Sequence, residues 1–178
     1  MAAKKSISSY GLVLMLLFLT SGLSAQTPYE ASATGHVIAE IIPVFSASET
    51  SQLNFGRFAP GPQGGKIIIT PQSTISVLGS VYKGTGSVNA ASFYVSGDVD
   101  ASYSIALPSD PVILKHTSEA KTMIIDEWYS DPAPGLGTGM LQNGFQVVFV
   151  GAALNVGNLY DNPVGVYTGS YTIRFDFN

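Results

Sequence analysis

The sequence predicts an all-β fold, an antiparallel β-sandwich. After the first 25 residues, short apolar stretches with a period of two recur, and turns rich in Gly, Pro and Asp separate them about every 8–12 residues. In residues 167–177, one face carries Tyr171, Ile173, Phe175 and Phe177, and the other face is polar. No stretch in this part of the sequence has convincing helical periodicity. We therefore expect roughly nine or ten short strands in two packed layers.

The first 25 residues have the pattern of a secretory signal peptide. Lys4 and Lys5 precede an apolar run at residues 11–19, and small residues then lead to Ala25. This run is shorter than the roughly 20 residues that a membrane-spanning helix needs. We therefore expect export, with residues 1–25 as the signal peptide and residues 26–178 as a single β-sandwich domain.

The composition of the expected mature chain excludes several kinds of partner. Removing 25 of the 178 residues leaves 153, with 6 Lys and Arg against 12 Asp and Glu, because only Lys4 and Lys5 leave with the signal. Such an acidic chain is a poor candidate for nucleic acid or anionic membranes, and we expect neither nucleic-acid binding nor stable membrane insertion. There is no cysteine, so burial and strand pairing alone must stabilise the exported domain.

The first predicted strand covers residues 35–45. Val37, Ala39 and Ile41 lie on one of its faces. Residues 46–51 are rich in Ser and Thr and predict a turn. Further short strands are predicted at residues 53–58, 66–70 and 74–82, with a break rich in Gly and Pro at residues 59–65.

The clearest predicted hairpin joins residues 91–96 to residues 102–107 through a Gly-Asp-Val-Asp turn. Residues 145–150 are apolar on both faces apart from Gln146, which is typical of a strand in the middle of a sheet. Further short strands are predicted at residues 112–115 and 122–126, and loops at residues 131–139 and 155–163.

No residue pattern indicates catalysis, a cofactor or a metal site. His36 and His116 are far apart and have no cysteine or nearby second histidine as a co-ligand. The sequence contains neither a nucleophile elbow nor a phosphate-binding loop. Asp98 and Asp100 flank a turn, where Asp is favoured by its own backbone hydrogen bonds. We therefore expect a non-enzymatic protein without cofactors.

One aromatic and acidic cluster is a candidate contact surface. Trp128 and Tyr129 lie among Asp126, Glu127 and Asp131, an arrangement that suits sugar binding. Glycoside hydrolysis would also need two carboxylates at a defined separation in a cleft. Trp128 and Tyr129 are therefore candidate surface contacts of a binding module, not catalytic residues.

Four stretches together resemble one family of secreted bacterial domains. They are LNFGRF at residues 53–58, the glycine pair at residues 64–65, ASFYVSG at residues 91–97 followed by YSI at residues 103–105, and PVGVYTG at residues 163–169. The family that they resemble is the domain-of-unknown-function family 4402, whose name carries no activity. That family is in turn similar to the pilin subunits of chaperone–usher systems, especially those poor in cysteine.

The resemblance implies an immunoglobulin-like or pilin-like sandwich that passes through the periplasm to the cell surface or the extracellular space. Gly165 stands where pilins have a glycine before the last strand, and Phe177 replaces their penultimate tyrosine. The implied partners are the protein itself, related subunits and a periplasmic chaperone. The chaperone would read the apolar row of the last strand: Tyr171, Ile173, Phe175 and Phe177.

Strand donation is the assembly mode that the resemblance implies. A sandwich that lacks one strand accepts a strand of its neighbour, which adds main-chain hydrogen bonds and buries alternate side chains. Val37, Ala39 and Ile41 would be the donated row. The first strand would then be donated to a neighbour, and the alternative is that it pairs within its own domain.

Three functions remain open from the sequence. The leading interpretation is a secreted, non-enzymatic structural or adhesive protein of the cell surface, of the fimbrial type, that assembles by strand donation. The second is a monomeric secreted module that binds carbohydrate or protein. The third is a small outer-membrane β-barrel, but residues 66–70 and 145–150 lack the alternation of lipid-facing and lumen-facing residues that it would need.

Overall fold

The computed structural model describes residues 30–42 and 44–177, which lie in two units that meet between Glu40 and Ile41. The predicted signal peptide lies outside the described residues. Within them the chain forms eleven strands and no helix. The strands are β1 (Ser46–Ser51), β2 (Phe58–Ile69), β3 (Ile75–Lys83), β4 (Ala91–Ser96), β5 (Ser102–Ala106), β6 (Val112–His116), β7 (Thr122–Asp131), β8 (Gly135–Met140), β9 (Phe145–Val156), β10 (Tyr167–Thr168) and β11 (Arg174–Phe177).

The second unit is an antiparallel sandwich of one large and one small sheet, so the predicted fold class is confirmed. The large sheet has eight strands and the order β1-β4-β9-β7-β6-β10, with the β2–β3 hairpin attached to β9 through β2. The small sheet has only three strands, in the order β11-β5-β8. All the recorded strand pairs are antiparallel.

Strand β9 is the centre of the large sheet, as the apolar run at residues 145–150 predicted. It pairs with β4 and β2 along one edge and with β7 along the other. Its inward side chains are completely or almost completely buried, from Val148 and Val150 to Leu154 and Val156. Because both edges are paired, the strand continues to Val156, into the predicted loop at residues 155–163.

The core consists of two clusters of buried apolar side chains. One lies between the two sheets and includes Tyr103 and Ile105 of β5 against Val148 and Val150 of β9. The other contains no residue of the small sheet: Phe55, Ile67, Ile69, Val81, Ala90, Met123, Ile125, Ala152, Leu154 and Val156. We call it the uncovered cluster, since among the described residues no strand of the small sheet packs on it, although its own side chains are buried.

The hairpin predicted from residues 91–96 and 102–107 is wrong, although both strands exist. Strand β4 pairs with β1 and β9 in the large sheet, whereas β5 pairs with β8 and β11 in the small sheet. The intervening turn therefore carries the chain from one layer to the other. A tight turn is compatible with either connection, and the choice depends on partners that are distant in sequence.

The first predicted strand and the turn after it are also wrong. Residues 30–42 have no regular secondary structure, and the predicted turn at residues 46–51 is strand β1. The hydroxyl groups of β1 bond across to β4: Ser46 Oγ lies 3.0 Å from Ser96 Oγ, and Thr50 Oγ1 lies 2.8 Å from Ser92 Oγ. Pairing at the edge of the sheet thus overrides the turn preference of a Ser-rich segment.

Two segments predicted to interrupt the sheets are instead strands. Strand β2 runs through the predicted break at residues 59–65, with an irregularity in its pairing with β3 between Pro60 and Gly64. The predicted loop at residues 131–139 contains most of β8. Of the predicted strand at residues 53–58, only the isolated bridge of Asn54 with Asn89 and the first residue of β2 are paired. Strands predicted at residues 66–70, 74–82, 112–115 and 122–126 are confirmed, within slightly different or longer elements.

The last strand is divided between the two sheets, which corrects the prediction of one continuous strand. Strand β10 pairs with β6 in the large sheet, and β11 pairs with β5 in the small sheet. The predicted alternation still holds between Tyr171 and Phe175, where the apolar side chains are half-buried and Thr172 and Arg174 are exposed. One segment of chain therefore forms the last strand of both layers.

Candidate strand-acceptor groove

A groove of about 1190 Å³ opens over the uncovered cluster. Its floor comes from three strands of the large sheet and is formed by Leu114, Met123, Ile125 and Leu154. One wall consists of residues 52–60, the connection after β1 together with the start of β2, and the other of residues 162–171. Within the described residues, no strand of the small sheet lies over this floor.

The floor is hydrophobic because of the two-residue period of β7. Met123 and Ile125 face the core, whereas the alternate residues Thr122, Ile124 and Asp126 are exposed. Leu154 of β9 lies across the ladder from Ile125. The same alternation that builds the large sheet thus creates an apolar surface that a second layer would normally cover.

The wall at residues 162–171 is attached to β6 by several hydrogen bonds. The backbone N–H of Thr117 donates to the carbonyl of Val166 at 2.9 Å, and Tyr167 and Thr168 pair with β6. The Tyr167 hydroxyl donates to the carbonyl of Pro163 at 3.0 Å. These bonds hold the wall in a fixed position beside the floor.

His116 is a structural residue of this wall. Its Nδ1 accepts two backbone N–H groups, from Ser118 at 3.1 Å and Glu119 at 2.9 Å. Because both of these groups are donors, the ring proton is on Nε2, which donates to the carbonyl of Val164 at 3.2 Å. Among the described residues, no group of three or more His, Cys, Asp and Glu side chains is arranged to hold a metal ion.

The backbone that follows the wall is an unpaired edge. Strand β10 is the last strand of the large sheet, and β11 is the last strand of the small sheet. Between them, residues 169–173 take part in no strand pair recorded for the described chain. We call residues 167–177 the free edge, because one side of this segment has no strand partner among the described residues.

The four aromatic and aliphatic residues predicted in the last strand are all on the free edge. Tyr171 lines the groove, and Ile173 and Phe175 pack against the cluster between the sheets. Phe177 is 47% exposed, although its ring centroid is 5.6 Å from that of Phe45. Burial raises the pKa of Tyr171, and its hydroxyl is buried without a hydrogen-bond partner among the described residues.

The other predicted row, Val37, Ala39 and Ile41, is exposed to solvent. Val37 and Ile41 are 94% and 98% exposed, and Ala39 is exposed as well. Ile38, on the opposite face of the same segment, is 94% exposed. We call residues 35–42 the arm. All the apolar side chains of the arm are exposed to solvent, although Ile42, at 59%, is less exposed than Val37, Ile38 and Ile41.

Trp128 and Tyr129 do not form a joint contact surface. The Trp128 ring packs against both core clusters, and its ring centroid is 4.6 Å from that of Tyr171. Its neighbour Tyr129 donates its hydroxyl to Glu127 Oε2 at 2.7 Å. Trp128 is therefore half-buried against the core, and its role as a surface contact stays a prediction.

The acidic residues beside them form a polar network on the surface. Lys66 Nζ contacts Asp126 and Glu127, and Asn155 Nδ2 donates to Asp126 Oδ2 at 2.7 Å. The hydrogen bond from Asn155, and then Lys66, lower the pKa of Asp126. The hydrogen bond from Lys66, and then that from Tyr129, lower the pKa of Glu127. Both groups are therefore carboxylates at neutral pH and link β2, β7 and β9.

The groove itself was missed by sequence reasoning. Its walls come from residues 52–60 and 162–171, more than a hundred positions apart, and no local pattern indicates that they face each other. Two of the stretches that resemble the family fall on the walls, LNFGRF on one and PVGVYTG on the other.

The chain matches the model of a protein family. No curated protein matches the chain at a significant level. Among the described residues, no helix is long and apolar enough to span a membrane. A family model matches residues 45–177, which include both walls and the floor of the groove but not the arm. The chain therefore belongs to the family described as Domain of unknown function (DUF4402).

Proposed function

We propose that the protein is an exported, non-enzymatic structural subunit of the cell surface that assembles by strand donation. In this assembly the arm of one copy fills the groove of the next copy and pairs with its free edge. Repetition of a contact between two different surfaces gives an open fibre of the fimbrial type.

The single observation that carries this proposal is the combination of the groove and the free edge. The groove opens over the uncovered cluster, on which no strand of the small sheet packs among the described residues, and the free edge offers backbone groups without a recorded strand partner along the same opening. An incoming strand satisfies both, since its backbone pairs with the edge while alternate side chains fill the groove. A small rigid ligand would satisfy only the apolar part.

The arm has the properties that such a strand needs. It is free of regular secondary structure, and Val37, Ala39 and Ile41 alternate along it with the period of a strand. Burying an exposed Val or Ile side chain contributes about 1.5–3 kcal/mol. Donation would therefore bury the exposed apolar side chains of the arm of one copy in the groove of another.

Export and a chaperone complete the proposal. The signal-peptide pattern at residues 1–25 supports transport out of the cytoplasm. A subunit with an open groove is prone to non-specific association, so a periplasmic partner that offers a temporary strand would protect it before assembly. On this view, related subunits with the same groove are also acceptable neighbours.

A matched pair of full-length variants tests the proposal. Val37→Asp and Ile38→Asp introduce the same charge at adjacent positions that are both 94% exposed, so neither change disturbs a core. We expect the wild-type mature protein to form high-mass assemblies in sedimentation velocity, and Val37→Asp to abolish them. Ile38→Asp should retain most of the assembly because its side chain faces away from the floor.

Three results would contradict the proposal. They are a wild-type protein that is always monomeric, a Val37→Asp protein that assembles normally, and equal loss of assembly in the two variants. Circular dichroism of both variants controls for folding. Protease treatment of intact cells tests the location, because a surface subunit should be degraded without cell lysis.

A truncation gives a second measurement if it ends at Ile42. Phe45 must remain, because its ring packs against Tyr103 and Phe177 with centroids 5.8 and 5.6 Å apart. Deletion through Phe45 would therefore remove both the arm and a packed side chain. The shorter deletion should abolish assembly and leave the groove able to bind a peptide with the sequence of the arm.

A further inference from the structure

We propose that Glu40 in the arm of one copy pairs with Arg57 at the groove of the next copy and thereby sets the direction of the donated strand. The strand would run antiparallel to the free edge. This inference rests on the proposed function, and it adds the residues that determine which orientation is accepted.

Two charged residues line the described groove, and they have opposite signs. Glu49 of β1 lines the groove just before the wall of residues 52–60, and Arg57 lies eight positions further along the chain, in that wall. Arg57 is exposed, and the structure records no ion pair for it among the described residues. The groove is thus apolar along its floor and carries one negative and one positive charge along the side formed by β1 and residues 52–60.

The two charges lie toward opposite ends of the groove. Phe45 contacts Phe177 at one end of the free edge. Next along the wall, Glu49 pairs with Phe93, whose ring centroid is 6.4 Å from that of Tyr171. The chain that runs from residue 45 through β1 toward residue 60 and the free edge therefore run in opposite directions.

Arg57 follows from this order. Beyond Glu49 the chain enters the wall of residues 52–60 and reaches Arg57. The opposite wall, followed from Tyr171 against the chain direction, leads to residue 162. Arg57 therefore lies toward the part of the groove where residues 162–166 form the opposite wall. The free edge thus begins near the positive charge and passes the negative charge further along.

The arm carries one negative charge, toward its C-terminal end. Glu40 is the only carboxylate of the arm. His36 lies four positions before it, on the same face of the alternation. In an antiparallel strand, Glu40 approaches Arg57 and His36 approaches Glu49. A parallel strand would instead bring Glu40 toward Glu49, and the two like charges would repel each other.

The alternation of the arm also puts Glu40 at the correct height. When Val37, Ala39 and Ile41 face the floor, Glu40 faces away from it. Arg57 is exposed at the rim of the groove, where a side chain that points away from the floor can reach it. Neither charge then has to be buried, which avoids a large desolvation cost.

A charge-reversal cycle tests this pair in the full mature protein. The probe is a fluorescent peptide with the sequence of residues 30–44, titrated against wild-type protein and Arg57→Glu protein. We expect Arg57→Glu to weaken binding on the order of fivefold, and Glu40→Arg in the peptide to weaken it similarly against wild-type protein. The two reversals together should restore binding to near the wild-type value.

Glu30→Arg in the same peptide is the matched control. It changes the peptide charge by the same amount outside the arm, so it should not restore binding of the peptide to Arg57→Glu protein. At about 1 M salt, where the screening length is about 3 Å, the differences should largely disappear.

The outcomes separate this inference from the proposed function. Wild-type binding that is insensitive to both reversals, or reversals without mutual rescue, overturns the Glu40–Arg57 pair and leaves strand donation standing. Rescue by Glu30→Arg as efficient as by Glu40→Arg also overturns the pair. Absence of any binding of the wild-type peptide, together with a monomeric protein, overturns both.

Discussion

Gly165 lies against the His116 ring so closely that a Cβ atom on Gly165 would overlap the imidazole. The ring cannot move away easily, because Nδ1 accepts two backbone N–H groups and Nε2 contacts the carbonyl of Val164. Tyr167 packs edge-on against the same ring, with centroids 4.9 Å apart. The glycine at position 165 thus has a local steric reason in this protein.

We predict that Gly165→Ala destabilises the domain by about 1–3 kcal/mol, the usual cost of forcing an extra methyl group into a packed site. The measurement is the midpoint of urea unfolding. Gly35→Ala is the control, since no atom lies within 4 Å of a Cβ built there. Equal midpoints for Gly165→Ala and wild type would show that the His116 ring does not enforce the glycine.

The three consecutive isoleucines of β2 provide a second prediction. Ile67 and Ile69 are completely buried in the uncovered cluster, whereas Ile68 is only half-buried. Ile67→Ala should cost about 2–5 kcal/mol because it leaves a cavity in the core. Ile68→Ala removes the same atoms from the opposite face and should cost clearly less. Similar losses in the two unfolding free energies would contradict the assignment of the inward face.

Tyr103 predicts how stability changes at alkaline pH. Its hydroxyl donates to Gln146 Oε1 at 2.7 Å, and burial raises its pKa from 10.0 to about 12. Since the folded pKa exceeds the unfolded pKa, the associated stability is fully present below pH 10 and is lost as pH rises toward 12. Unfolding measured across this interval, with tyrosinate absorbance as a second signal, should follow that course.

The Tyr103→Phe variant separates this group from the other tyrosines. It loses one hydrogen bond, worth about 0.5–1.5 kcal/mol, at neutral pH. Its stability should then depend less on pH between 10 and 12, with a residual decline because burial also raises the pKa of Tyr171. Tyr160→Phe is the control, as Tyr160 is 84% exposed. An unchanged alkaline profile in Tyr103→Phe would exclude Tyr103 as the source.

The elements that sequence predicted well are those decided by local alternation. The period of two identified β4 and β5, and it correctly put Tyr171, Ile173 and Phe175 on one face, whereas a run that is apolar on both faces identified β9. Alternation depends only on neighbouring residues in a strand, so it survives without knowledge of the partners.

The relationships that sequence missed all depend on distant partners. Strands β4 and β5 lie in different sheets, although the turn between them resembles that of a hairpin. Residues 46–51 form a strand because their backbone pairs with β4 and the Thr50 hydroxyl forms a hydrogen bond with the Ser92 hydroxyl. The groove is likewise a product of two remote segments. The exposed arm shows the reverse case, because a strand pattern remains unpaired when no partner within the described chain completes it.

The absence of cysteine in the sequence allows the final prediction, a disulfide trap between copies. Ser170 is exposed on the free edge, on the polar face of the alternation. In a paired strand, residues on the same face lie side by side, with Cβ atoms about 4.5–5.5 Å apart, close to the distance that a disulfide requires. A cysteine at Ser170 should therefore form a disulfide with a cysteine at an arm position that also faces away from the floor, namely at His36, Ile38 or Glu40.

Mixing two singly substituted proteins makes this trap specific for contacts between copies. Protein with Ser170→Cys is combined with protein carrying one cysteine in the arm, oxidised mildly, and separated without reductant. We expect a linked heterodimer from one or two positions among His36, Ile38 and Glu40, and the position that reacts best identifies the register. Cysteines at Val37, Ala39 and Ile41 are matched controls that face the floor. Equal linkage from both rows would mean that the arm meets the edge without forming a strand, because only a paired strand presents its two faces differently.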